Sequence, residues 1–180
     1  MQIEFQFLDW IQSAVRCDFL DAFFKFVTTL GNGGAIWIAA GVLLLAFKKY
    51  RRTGVAVLLG LLGGLIIGNL ILKNLIARER PCWINETVEL LIKMPTGYSF
   101  PSGHTLSSVI AATCILVRDK RLGIPACILA ALIAFSRMYL YVHFPTDILG
   151  AAVLGIGIAW GITRLCKKIP QRWIFEEKGL

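Results

Sequence analysis

Residues 54–76 read GVAVLLGLLGGLIIGNLILKNLI, 23 positions in which Lys73 is the single charge. At about 1.5 Å per residue, a helix of this length covers the ~30 Å hydrocarbon core of a bilayer. Its repeated glycines permit close approach of a neighbouring helix. The rest of the chain agrees. Lys and Arg total 19 and Asp and Glu 11, hydrophobic residues make up 57% of the 180, and mean hydropathy is +0.69. A soluble domain carries about a quarter charged residues. A soluble fold of 19.9 kDa has too much surface to hide so apolar a composition. Disorder, a coiled coil and a typical soluble enzyme are excluded.

Four further apolar runs lie at roughly 34–48, 103–117, 122–140 and 147–166. The expected fold is therefore all-α, a polytopic transmembrane helix bundle of about five spanning helices. Ahead of them, Ile3, Phe7, Trp10, Ile11 and Ala14 fall at helical spacing between polar residues, the pattern of an amphipathic interfacial helix. Residues 19–30 are apolar but too short to cross alone, which predicts an interfacial or re-entrant helix, and Gly31-Asn32-Gly33-Gly34 breaks the chain. The layout is one membrane-embedded domain over 1–180: an N-terminal segment 1–32, a catalytic helix bundle 33–168 and a cytoplasmic tail 169–180. No small-residue cleavage site follows an early apolar run, so no signal peptide is expected. The five scattered cysteines read as apolar fillers, with no disulfide or zinc signature.

Twelve of the 19 Lys and Arg, at 48–52, 118–121 and 164–178, fall on one side of this layout. The positive-inside rule places that side in the cytoplasm. The 77–102 loop and the 141–146 connection are then extracytoplasmic, in a multi-pass protein of the cell membrane. The net charge of +8 is explained by orientation and anionic lipid headgroups, with no call for nucleic acid.

Three polar clusters gather at the outward ends of the spans. Lys73 and Arg80 are seven apart and share a face if the helix persists, with Pro81 stopping it; alone, both could simply snorkel to headgroups. Pro101-Ser102-Gly103-His104 opens an apolar helix, and its unpaired N–H groups outline an anion site. Ser102 could equally be an N-cap and His104 an interfacial histidine. In the third cluster, Arg137 ends one span and Asp147 begins the next. Asp147 lies four residues after His143, a spacing that could let its carboxylate accept the imidazole Nδ1–H and leave Nε2 bare as a nucleophile. The bland alternative makes Asp147 an N-cap.

Separately each bland reading stands; together they leave three cations, two histidines and an aspartate converging on one face without a reason. Three cations and a helix N-terminus make a cradle for a phosphate and for the added charge of its transition state. One histidine supplies a nucleophile and the other an acid. No carboxylate cluster of the kind a metallophosphatase needs is visible, so no metal and no cofactor are expected.

K-x6-R-P (Lys73, Arg80, Pro81), P-S-G-H (Pro101 to His104) and S-R-x5-H-x3-D (Ser136, Arg137, His143, Asp147) resemble the three-part signature of the type-2 phosphatidic acid phosphatase and vanadium haloperoxidase superfamily. All three are complete and in order. The resemblance implies that His143 attacks phosphorus to form a phosphohistidine, that Asp147 orients it, and that His104 protonates the leaving oxygen. It implies that Lys73, Arg80, Ser102, the Gly103 N–H and Arg137 hold the phosphoryl oxygens. Arg78 lies outside the fixed positions and inherits no role. The haloperoxidase members are soluble and this chain is not, so a lipid phosphatase is the expected class.

The implied substrates are lipid phosphates and pyrophosphates. An outward-facing site favours undecaprenyl pyrophosphate, with phosphatidylglycerol phosphate or phosphatidic acid as the alternative. A lipid transporter or flippase is the competing class, although its charges would be expected at mid-depth between repeats. The sequence assigns no oligomeric state. The stretch 82–99 is expected to lid the site, with Trp83, Leu90, Leu91, Ile92 and Tyr98 meeting lipid.

Overall fold

The computed structural model describes residues 1–168, so the expected tail 169–180, with Arg172 and Lys178, lies outside the described residues. Those residues form helices and no strand: α1 (Gln2–Trp10), α2 (Asp18–Leu30), α3 (Ala35–Ala46), α4 (Arg51–Gly64), α5 (Lys73–Ile76), α6 (Pro81–Ile84), α7 (Gly103–Arg118), α8 (Lys120–Tyr139) and α9 (Pro145–Lys168). Leu65–Leu72 joins α4 to α5 through wider, π-type turns. By length and composition, three stretches can cross a membrane: Lys48–Ile84, Lys120–Tyr139 and Pro145–Lys168.

The expected span over 34–48 is half of a bent segment. α2 and α3 pass the same test together, bent by 44° at the intervening break. Gly33 and Gly34 take φ of 59° and 70°, a left-handed conformation that side chains disfavour, and so let the chain turn there. α7, at 16 residues, is shorter and is the central helix. It packs against α3, α4, α8 and α9 and buries Leu106, Ile110, Ala111 and Cys114. Shielded by its neighbours, it has less lipid to face.

Helix packing relies on glycine where two backbones meet. A Cβ on Gly54 of α4 would lie 2.6 Å from the Gly41 carbonyl oxygen of α3. That contact cannot be relieved by turning a side chain.

A second apolar cluster closes one end of the bundle. Leu8 and Ile11 of the N-terminal region, Phe24 of α2 and Cys82 of α6 bury against Tyr139 to Val142 and Phe144. The interfacial stripe expected on α1 therefore divides. Ile3, Phe7 and Trp10 stay exposed, whereas Phe5, Leu8 and Ile11 pack on the protein. Polar residues seal this docking: Asp9 accepts from Tyr141 Oη at 2.6 Å, and Gln12 Nε2 donates to the Tyr139 carbonyl at 2.8 Å. The 82–99 loop joins the same cluster through Trp83, Val88, Leu90, Leu91 and Ile92. These side chains are partly buried on protein, and Tyr98 of the expected set is exposed.

Gly54→Ala should lower the thermal midpoint of the detergent-solubilised protein, the overpacking costing about 1–3 kcal/mol. Gly157→Ala, whose Cβ would meet nothing within 4 Å, should leave it unchanged. Equal midpoints for the two variants would contradict the close α3–α4 contact.

Candidate active site

Lys73 stands in the last helical turn before the break, but the helix does not persist to Arg80. It ends at Ile76, Ala77 takes a left-handed φ of 46°, and residues 77–80 are irregular. Pro81 starts the short α6, where its missing N–H costs nothing, and so does not terminate the earlier helix. Lys73 and Arg80 meet through this reversal and not through helical periodicity. Their destination is a cavity of about 560 Å³, lined also by Gly103, His104, Arg137 and His143. Ile38, Leu58, Leu61, Leu62 and Leu65 continue its wall as an apolar groove.

Arg80 is buried and held by three backbone carbonyls. Its Nε donates to Gly97 O at 2.6 Å, Nη2 to Tyr98 O at 3.1 Å and Nη1 to Val142 O at 2.7 Å. Nη1 also lies 3.1 Å from His143 Nε2. A guanidinium has donors only, so Nε2 must offer its lone pair and the neutral ring carries its proton on Nδ1. Burial pushes the His143 pKa well below the ordinary value. The nearby Arg80 and Arg137 charges add to this, while the Asp147 hydrogen bond opposes it. The imidazole is thus neutral at physiological pH.

The expected bond from His143 Nδ1 to Asp147 is a looser contact. Nδ1 stands 3.5 Å from Asp147 Oδ2, beyond ordinary hydrogen-bond length, and 3.4 Å from Ser99 Oγ. The carboxylate is held mainly by others. Oδ2 accepts from Ser99 Oγ at 2.5 Å and from the Phe144 N–H at 2.8 Å, and Oδ1 accepts from Arg78 Nη1 at 2.7 Å. These short bonds satisfy both carboxylate oxygens, which leaves the weaker contact to the imidazole. Asp147 is fully buried behind His143 and does not line the cavity.

Ser102 is the α7 N-cap, its Oγ accepting from the Thr105 N–H at 3.4 Å and from Thr105 Oγ1 at 3.0 Å. It is buried and likewise outside the cavity lining, although its own hydroxyl proton is still available to donate. A Cβ at Gly103 would come within 3.0 Å of Asn69 Oδ1, so glycine lets the helix start sit against the Leu65–Leu72 turn. His104 Nε2 lies 3.0 Å from Asn32 Oδ1 in the bend between α2 and α3. The amide oxygen makes Nε2 the donor in that pair. Arg137 Nη1 donates to Thr28 Oγ1 at 2.5 Å, while its buried Nε has no partner among the described residues.

Thus Lys73, Arg80, Gly103, His104, Arg137 and His143 share one cavity, with Ser102 and Asp147 directly behind it. Sequence reasoning missed Arg78, Ser99, Asn32 and Thr28. Arg78 and Ser99 hold Asp147, Asn32 holds His104, and Thr28 holds Arg137. Asn32 reads only as a turn residue and Thr28 as part of an apolar helix. Arg78, beside the first motif, was the one visible signal. Among the described residues no group of three His, Cys, Asp or Glu is arranged to hold a metal ion.

The chain is similar to known proteins. The chain is 35% identical over 126 residues to an undecaprenyl-diphosphatase of Sulfolobus acidocaldarius, covering 69% of this chain and 61% of that one. This chain therefore spans about three fifths of that relative's length. It is 29% identical over 141 residues to the undecaprenyl-diphosphatase BcrC of Bacillus subtilis, covering 78% and 72%. The crystal structure of a transmembrane PAP2-type phosphatidylglycerolphosphate phosphatase from Bacillus subtilis superposes with a TM-score of 0.74 at 25% identity, covering 94% of this chain and 88% of that one. Residues 53–170, which carry all three motifs, match the PAP2 superfamily, and the chain belongs to that family.

Proposed function

We propose that this protein is a multi-pass membrane enzyme that removes phosphate from a lipid phosphate or pyrophosphate through a phosphohistidine on His143. The observation that carries the reading is Arg137. Its buried, unpartnered Nε faces the expense of desolvation unless an oxyanion arrives, and the adjoining cavity wall supplies Lys73 and Arg80. The apolar groove leading from the same cavity suits a lipid chain better than a soluble ester.

In the proposed reaction, the phosphoryl oxygens sit among Lys73, Arg80, Arg137, Ser102 and the Gly103 N–H. His143 Nε2 attacks phosphorus in line; an N–P bond forms as the bond to the leaving oxygen breaks. His104, protonated and favoured in that state by the arriving negative charge, passes its Nε2 proton to the departing oxygen. A water then loses a proton to His104, attacks phosphorus and breaks the N–P bond, releasing phosphate. Asp147 keeps the His143 ring oriented. The cationic cradle takes the electrostatic role that a metal serves elsewhere.

Undecaprenyl pyrophosphate is the proposed substrate, supported by the two similar undecaprenyl-diphosphatases. Phosphatidylglycerol phosphate is the second reading, favoured by the solved phosphatase that shares the fold. The active site is proposed to open on the extracytoplasmic face, supported by the basic residues gathered at the opposite ends of the spans. Residues 1–32 and the bundle 33–168 are proposed to work as one unit, since α1 and α2 pack on the catalytic end.

Phosphate release by the purified protein is expected with undecaprenyl pyrophosphate above phosphatidylglycerol phosphate and phosphatidic acid, in excess EDTA, and with inhibition by vanadate. Activity lost with chelator and restored by Mg²⁺ would overturn the metal-free chemistry. No release from any substrate would return the transporter class.

His104→Ala should lose roughly 10²–10⁴-fold on a lipid monophosphate but much less on para-nitrophenyl phosphate, whose phenolate leaves without a proton. An equal loss on both would remove the acid role. For orientation, Glu86→Cys, on an exposed loop position in a variant lacking the five native cysteines, should react with an impermeant maleimide in intact cells. Labelling only after lysis would reverse the topology.

A further inference from the structure

The sequence left Arg78 and Glu4 without a task, yet both stand directly behind the catalytic pair. Arg78 Nη1 donates to Asp147 Oδ1 at 2.7 Å and to Thr146 Oγ1 at 2.6 Å. Its Nη2 meets Glu4 Oε2 at 2.7 Å. Glu4 Oε1 accepts from Thr146 Oγ1 at 2.6 Å and from the Thr146 N–H at 3.3 Å. The Arg78 guanidinium lies 4.2 Å from the centre of the Phe144 ring, and Phe5 of α1 meets that ring edge-on at 5.2 Å. The Arg78 carbonyl also accepts from the N–H of Ser99, whose hydroxyl holds the other Asp147 oxygen.

We propose that Arg78 is a positioning residue for the His143–Asp147 pair, and that Glu4 positions Arg78, so that the N-terminal helix α1 is part of the catalytic apparatus. The inference rests on the phosphohistidine reading above. An ionised carboxylate with no solvent access has to be paired. Arg78 takes Oδ1, which leaves Oδ2 turned toward Ser99, the Phe144 N–H and the imidazole. Arg78 also moderates the Asp147 charge felt by His143. The other charges acting on that ring are Arg80 and Arg137, and both disfavour its protonation. Arg78 lies between two carboxylates, so without Glu4 one face of its fork is empty and its hold on Oδ1 loosens. Burial pushes the Glu4 carboxyl up, but the Thr146 hydrogen bond and the Arg78 charge outweigh it and leave the pKa below its ordinary value. Glu4 is therefore ionised at neutral pH. The Met1 ammonium, 3.8 Å from Glu4 Oε2 and largely exposed, is the other cation beside it.

The chain has two histidines, so ring ¹⁵N spectra resolve each of them without reference to activity. Wild-type His143 should show the Nδ1–H tautomer with a titration midpoint well below the ordinary histidine value. Arg78→Gln leaves Asp147 unopposed, and the midpoint should rise by about one pH unit or more. In the same samples, kcat should fall by about 10- to 100-fold while KM changes little, with partial recovery in Arg78→Lys. Glu4→Gln should lower kcat by a smaller factor in the wild-type background and add little to Arg78→Gln. An unshifted His143 midpoint in Arg78→Gln, or a Glu4→Gln effect of the same size in both backgrounds, would overturn the proposal. If Arg78→Gln does not fold, Arg78→Lys and Glu4→Gln carry the same comparison. Absence of phosphate release by the wild type would sink the enzymatic reading alone, because the spectra still report whether Arg78 governs His143.

Discussion

A carboxylate without access to water has to be surrounded by donors, and Asp147 at the start of α9 is that carboxylate. Its two oxygens draw on Arg78 from the break after α5, Ser99 from the long loop and the Phe144 N–H from the α8–α9 link. The N–H of Ser102, at the head of α7, bonds to its backbone carbonyl at 3.4 Å. Three segments distant in sequence, and the link just before α9, are thereby tied to one helix start. The positive end of the α9 dipole favours the charge there. Three of these segments also deliver cavity residues, Arg80, Gly103 with His104, and His143, and the long loop adds Pro95 to the wall.

The opposite problem arises on the other side of His143, where Lys73, Arg80 and Arg137 are held close together. Like charges at this range repel, and the effect is strong away from water. The fold offsets this with oxygen atoms: backbone carbonyls of Gly97, Tyr98 and Val142 around Arg80, and the Thr28 hydroxyl on Arg137. These partners fix the guanidinium groups in place before any ligand arrives. A site built in this way needs little reorganisation when negative charge develops, which is the main source of electrostatic catalysis. Among the described residues, the buried Arg137 Nε has no hydrogen-bond partner.

The N-terminal helices complete the same arrangement. The 140–144 link is almost fully buried, although it connects two apolar helices at a membrane surface. α1, α2 and the 82–99 loop cover it with Leu8, Ile11, Phe24 and Trp83, Asp9 accepts a hydrogen bond from its Tyr141, and Gln12 donates to the carbonyl of Tyr139 just before it. Water is thereby excluded from one side of His143, and the cavity becomes the open approach. The exposed apolar residues of α1, Ile3 and Trp10 among them, are left to meet the membrane interface.

Local order was legible in the residues themselves. Long apolar runs determine helices, and the three polar clusters identify Lys73, Arg80, His104, Arg137, His143 and Asp147, because membrane segments seldom carry such groups without a use. Periodicity was less reliable wherever the backbone left the helix. The reversal at Ala77, the bend at Gly33 and Gly34, and the division of α1 into a lipid face and a protein face all depend on contacts with segments remote in sequence. Spacing suggested that Asp147 could accept the His143 Nδ1–H, or cap its helix. Tertiary structure decided that Arg78, Ser99 and the Phe144 N–H share it, and that Glu4, 74 residues before Arg78, holds the outer end. The sequence by itself determined which groups are candidates for the chemistry, since charge and hydropathy belong to residues. Only the tertiary structure decided which groups hold them, since a buried charge takes its donors from whatever chain the fold brings within 3 Å.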